Sequence, residues 1–156
     1  TRERFGDWEV DTVLGKHGSG ALVTLAERKS RLYLVRKVAA KRASDVRDAI
    51  IDMLKPYAAY VHTITADKGS EFVEHKAIAK ALGAEFYFAH PYSSWERGLN
   101  ENFNGLLRQY IPKGTDLRMI TGEDVRKAEK QLNLRPRKCL GFRQPEIVFQ
   151  EYLQAA

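Results

Sequence analysis

Three acidic residues stand in three different punctuated contexts: Asp11 in Asp7-Trp8-Glu9-Val10-Asp11, Asp67 in Thr65-Ala66-Asp67-Lys68-Gly69, and Glu101 in Gly98-Leu99-Asn100-Glu101-Asn102. The first two interrupt or close apolar, strand-like runs, and the third lies on an amphipathic helix. Carboxylates delivered by two strands and a helix are what a divalent-cation site for phosphodiester chemistry needs. Such a site holds two cations ~3.5–4 Å apart, one activating the attacking oxygen and the other stabilising the leaving one. Mg²⁺ takes carboxylate, water and phosphate oxygens, so three carboxylates suffice and no histidine base is required.

Each acid also has a plainer explanation. Asp11 is disfavoured inside a strand unless it faces outward. Asp7 precedes the strand and reads as part of the turn leading into it. Asp67 next to Lys68-Gly69 is ordinary turn chemistry, but the carboxyl ends of parallel strands are also where α/β sheets place their sites. Glu96 belongs to a capping box, Ser93-Ser94-Trp95-Glu96, which gives it a structural task. Glu101 shares a helix face with Arg97, Asn104 and Arg108, opposite a stripe of Leu99, Phe103, Leu106, Leu107 and Tyr110. That face reads either as solvated or as the border of a nucleic-acid groove. Two features favour the groove. Asn100, Asn102 and Asn104 are mediocre helix formers crowded into one stretch, and the flanking arginines suit phosphates beside a cation.

The elements that must position these acids follow from periodicity. Trp8 to Leu14, Ala21 to Ala26 and Leu32 to Val38 read as three strands joined by short polar turns, an antiparallel meander. Val46, Ala49, Ile50 and Leu54 recur at helical spacing, with Ser44 as a cap and Pro56 as the limit. Val61 to Thr65 reads as a short buried strand. Ser70 to Leu82 reads as one helix stopped by Gly83, and Ala84 to Ala89 as a last strand. The region from Pro112 to Thr121 is a loop, and Thr121-Gly122-Glu123-Asp124 opens a further helix. The expected fold is α/β: a mixed five-stranded sheet, a meander followed by parallel strands through right-handed crossovers, flanked by helices.

Totals set the frame. The 156 residues suit one domain (1–156), and 44 % hydrophobic content supplies a packed core. A net charge of +6 suggests a polyanionic partner. The single cysteine, Cys139, excludes an internal disulfide or a multi-cysteine zinc site and reads as structural, in keeping with a reducing cytosol. His17, His62, His75 and His90 share no metal-ligand spacing. No apolar stretch reaches the ~20 residues of a membrane span. A chain that begins at Thr1 reads as a segment of something longer. Arg28, Lys29 and Arg31 read as surface charge. The cluster Arg135-Pro136-Arg137-Lys138 suits either a solvated loop or the DNA backbone, and Trp95 suits packing or stacking on a displaced base.

Asp7 to Asp11, Thr65 to Phe72 and Pro91 to Asn102 resemble the catalytic core of DDE transposases, relatives of retroviral integrases. The likeness is greatest to the IS-thirty family of bacterial insertion-sequence transposases. Gly105 to Gly114 and Leu132 to Phe142 look like the same family. Lys68 stands where that family often has Asn, and Glu96 where Gln is frequent. The resemblance implies a ribonuclease-H-like fold and DNA strand cleavage followed by strand transfer, with Asp11, Asp67 and Glu101 as catalytic triad and ligands of two Mg²⁺ (or Mn²⁺) ions. It implies DNA at both element end and target, contacted by Lys68, Trp95, Arg97, Asn104, Arg108, Lys113, Arg135, Arg137 and Lys138. It further implies a dimer or higher assembly in the bacterial cytoplasm, and a helix-turn-helix region that lies outside this sequence. A nuclease that only hydrolyses, or an inert DNA-binding or assembly module, are the other readings at this point.

Overall fold

The computed structural model describes residues 3–90 and 98–155. Its centre is a five-stranded sheet of β1 (Asp7–Leu14), β2 (Ala21–Glu27), β3 (Tyr33–Val38), β4 (Thr63–Ala66) and β5 (Glu85–Phe88), in the order β3-β2-β1-β4-β5. The first three strands form the antiparallel meander, and β4 and β5 add in parallel. The mixed sheet expected from the sequence is therefore the sheet observed.

Helices α1 (Ala43–Leu54), α2 (His75–Leu82), α3 (Gly98–Leu107), α4 (Gly122–Asn133) and α5 (Pro145–Ala155) cover both faces. One core joins Trp8, Val10 and Ile64 to Val46 and Ile50 of α1, Ile78 and Leu82 of α2 and Phe149 of α5. The other joins Val13, Leu22, Tyr33 and Val35 to Phe103 and Leu107 of α3 and Val125, Ala128 and Leu132 of α4. Strand β2 is buried at all seven residues because helices cover it on both sides. Such a strand reads as a continuous apolar run rather than an alternating one.

Several boundaries differ from the sequence reading. Ser44 does not cap α1; Arg42 occupies that position without a side-chain bond. The stretch from Ser70 is no single helix. A 3₁₀ turn at Ser70–Phe72 precedes α2, burying Glu71 and Phe72 before the helix proper begins. Gly83 ends α2 in the left-handed region at φ 63°, as a C-terminal glycine should. The loop after Pro112 contains a 3₁₀ turn at Leu117–Met119. Thr121 and Asp124 form the expected capping box of α4. Helix α5, which the periodicity did not signal, starts with Pro145 at its first position, and its Phe149 packs against Trp8 at 6.0 Å.

The outer edge of β3 is closed by side chains rather than by a strand. On α4, Asn133 accepts the Tyr33 N–H at 2.9 Å and donates to the Tyr33 carbonyl at 2.8 Å. One turn earlier, Glu129 accepts the Val35 N–H at 2.8 Å. Residues four apart on the helix thus pair with residues two apart on the strand, and three of the backbone groups that this edge strand exposes are satisfied.

Candidate active site

Strand β1 carries Asp7, Glu9 and Asp11 at alternate positions, hence on one face. Asp7 is the first residue of β1 rather than part of a preceding turn; it pairs with Arg4 and accepts from Thr63 Oγ1 at 2.8 Å. The parallel pairing of β1 with β4 matches Asp7 with Thr63, Trp8 with Ile64 and Glu9 with Thr65. The pairing ends there; Asp11 follows Glu9 by two residues on β1, and Asp67 follows Thr65 by two, just past the end of β4. Paired strands lie ~4.8 Å apart, and the two acids leave the last pair, Glu9 and Thr65, in the same direction along parallel strands.

Helix α3 brings the third acid. Asn104 donates from Nδ2 to Asp11 Oδ2 at 2.9 Å, and Asp11 Oδ1 accepts the Thr12 N–H at 2.8 Å. Glu101 lies one turn before Asn104, exposed, as is Asp67. The amide of Asn104 is oriented in turn by Tyr33, whose hydroxyl donates to Asn104 Oδ1 at 2.7 Å. Tyr33 is fully buried and stacked on Phe103 at 4.7 Å. Burial, with the Asp11 charge adding to it, pushes the Tyr33 phenol far above its ordinary value, so it is a fixed donor at any physiological pH.

Two buried carboxylates flank this arrangement and were not singled out in the sequence. Glu9 accepts the Asn100 N–H and the Arg28 Nε–H, each at 3.1 Å. Glu71 accepts from Thr12 Oγ1 at 2.9 Å and pairs with Lys41 at 3.2 Å. The available signal was position: a charged residue two places from Asp11 along a strand, and one four places after Asp67, next to the apolar Phe72. Arg28 and Arg31 are likewise more than surface charge, since Arg28 pairs with buried Glu9 and Arg31 with Glu3.

The expected cations fall into groups. Lys68, Lys113 and Lys138 are exposed. Arg108 donates to the Leu14 carbonyl at 3.2 Å and, with Lys41, Thr12 and Asn104, lines a groove of about 380 Å³ beside Asp11. Arg135 donates to Tyr110 Oη at 2.9 Å and to Gln109. Arg137 lies 4.6 Å over the Phe103 ring and donates to Asn102, and its burial lowers its pKa. Tyr110, placed in the apolar stripe by the sequence, lies beyond the end of α3 and is exposed. Cys139 is exposed on a 3₁₀ turn, not a core residue. Trp95, Arg97 and the Ser93–Glu96 capping box lie outside the described residues.

All three acids offer hard oxygen donors, the ligands that Mg²⁺ and Mn²⁺ take. Among the described residues, no three carboxylate, imidazole or thiol groups converge closely enough to hold an ion. Among them, too, no helix is long and apolar enough to cross a membrane.

The sheet order and the helices across it define a ribonuclease-H-like fold of the integrase catalytic-core type. The catalytic core domain of BIV integrase superposes with a TM-score of 0.75 at 18 % identity, covering 97 % of this chain and 98 % of that one. A chain of a simian T-cell lymphotropic virus intasome gives 0.76 at 15 % identity, covering 95 % and 57 %. No protein-family model matches the chain. Its sequence is homologous to insertion-sequence transposases. It is 45 % identical to the transposase for insertion sequence element IS4351 of Bacteroides fragilis over 97 % of its length, and 42 % identical to the probable transposase for IS1161 of Streptococcus salivarius over 96 %. It is 37 % identical to transposase InsI for IS30C of Escherichia coli over 96 %. The chain spans less than half the length of these relatives, 47 %, 43 % and 39 % respectively.

Proposed function

We propose that this chain is the catalytic core of a DNA transposase, with Asp11, Asp67 and Glu101 as the acids that hold two divalent cations, Mg²⁺ or Mn²⁺. The observation that supports the reading is the Asn104–Asp11 bond, which docks the helix carrying Glu101 on the strand carrying Asp11, with Asp67 two residues beyond the last β1–β4 pair. The chemistry supplied by such cations is activation of the attacking oxygen and stabilisation of the leaving one.

The chain's own residues supply position. Asn104 fixes one Asp11 oxygen, and the β4 turn presents Asp67. Arg108 and Lys41 offer positive charge along the adjoining groove, where a DNA backbone would lie. Lys68, Lys113, Arg135, Arg137 and Lys138, with Trp95 and Arg97, complete the proposed DNA contacts. Water attacks a phosphodiester at the element's end, and the freed 3′-hydroxyl then attacks target DNA in the same site. Joining two ends requires at least two copies.

The test is incubation of a full-length protein carrying this chain with labelled end DNA, with and without Mg²⁺. Joined products support the transposase; cut products alone support a nuclease, and binding without either an inert module. If Asp67→Asn or Glu101→Gln left metal-dependent cleavage intact, the assignment of the acids would be wrong.

A further inference from the structure

We propose that Glu9 is a positioning residue whose buried carboxylate sets how far along β1 the helix α3, and with it Glu101, is seated. The inference rests on the reading of Glu101 given above. Glu9 is 3 % exposed and divides its two oxygens between two elements. Oε1 accepts the N–H of Asn100, in the first turn of α3, at 3.1 Å. Oε2 accepts Arg28 Nε, from the β2–β3 turn, at 3.1 Å.

The first-turn N–H groups of a helix have no partner within it, and a carboxylate there also meets the positive end of the helix dipole. Here a carboxylate of the strand beneath accepts one of these N–H groups. Asn100 is fully buried, and its side-chain oxygen takes the Thr24 hydroxyl of β2 at 3.2 Å. The residue immediately before Glu101 is therefore tied to both β1 and β2.

Glu9 is one of two rungs. Glu9 meets Asn100 and Asp11 meets Asn104, so a step of two on the strand matches a step of four on the helix. Two strand residues rise ~6.6 Å, and four helical residues rise ~6 Å. The rungs fit one alignment and oppose sliding. The apolar contacts of Phe103 and Leu107 choose which face of α3 turns inward, but non-directional packing tolerates a shift along the axis that hydrogen bonds do not. Glu101 lies between the rungs, so both fix its height relative to Asp11. Arg28 keeps the Glu9 charge paired inside the fold, without which a buried carboxylate is disfavoured.

The test compares Glu9→Ala, Glu9→Gln and Glu101→Gln by amide hydrogen exchange along α3 and by DNA-cleavage kinetics of the full-length protein. Glu9→Ala should speed exchange at Asn100 and Glu101 and lower kcat about tenfold or more, the usual cost of removing a group that orients a ligand, with KM for DNA little changed. Glu9→Gln, which retains one acceptor, should fall between it and the unmodified protein, and serves alone if Glu9→Ala does not fold. Unchanged exchange at Asn100 in a folded Glu9 variant, or a kcat loss that only tracks the unfolded fraction, overturns the proposal. Cleavage surviving Glu101→Gln would defeat the site reading instead, while the exchange measurement still decides whether Glu9 seats the helix.

Discussion

Asn104 and Asp11 are joined by a side-chain bond of 2.9 Å, a direct link between α3 and the acid on the central strand of the sheet. Its geometry is set from behind, because the Tyr33 hydroxyl occupies the amide oxygen and leaves only the NH₂ group to face Asp11. Such outer contacts orient a ligand oxygen without touching the substrate. Asn104→Ala should therefore lower the cleavage rate by about 10–100-fold, with a stability loss of about 1–2 kcal/mol. Tyr33→Phe should show a smaller loss of rate in the same direction. Single-turnover cleavage beside thermal melts separates the two effects.

Gly69 sits over the Glu71 carboxylate, and a Cβ there would lie 2.2 Å from Glu71 Oε1. Glu71 is buried and held by Thr12 and Lys41, so it cannot swing away without breaking both contacts. Gly69→Ala is expected to destabilise by about 1–3 kcal/mol, the cost of displacing a satisfied buried polar group. Because Glu71 underlies the Asp67 turn, the variant should also lose cleavage beyond what its melting temperature explains. Urea unfolding and kinetics at a temperature where the variant is folded give the comparison.

The sheet and its mixed pairing were legible because alternation and turn residues are local signals. The three asparagines of α3 were legible as anomalies, and each proves to have a partner: Asn100 with Glu9 and Thr24, Asn102 with Arg137, Asn104 with Asp11. Their partners were not legible, since strand β1 and helix α3 are ~90 residues apart and nothing local records a long-range bond. Glu9 and Glu71 looked like ordinary acids for the same reason. The break at Phe72 reflects tertiary override: burying Glu71 against Thr12 and Phe72 against Phe86 outweighs continuing one helix. Helix α5 carried its start signal in Pro145, but its inward residues are few, so its periodicity is weak.

Asn133 closes the β3 edge with two bonds to the backbone of Tyr33, the residue that orients Asn104. Asn133→Leu keeps the bulk and leaves a buried N–H and C=O without partners. A loss of about 2–4 kcal/mol is expected from two such groups. Asn133→Asp retains the acceptor alone and should lose less at low pH than at neutral pH. Chemical unfolding of the two variants at pH 5 and pH 7.5 tests the ranking.

Glu129, the other residue that closes this edge, gives stability a definite pH dependence. Its carboxylate is largely buried, and burial raises its pKa above the ordinary 4.5, against the opposing pull of the Val35 N–H and of Arg36 and Arg126. A carboxylate raised in the folded state stabilises the fold while protonated. That contribution is fully present below the unfolded value and is lost as pH rises through the folded value. Glu129→Gln keeps an acceptor for the Val35 N–H without the buried charge. The variant should match the unmodified protein below about pH 4 and be at least as stable near pH 8. Urea titrations across this range measure the difference directly. A variant less stable than its parent at pH 8 would show that attraction to Arg36 and Arg126 outweighs the cost of burying the charge.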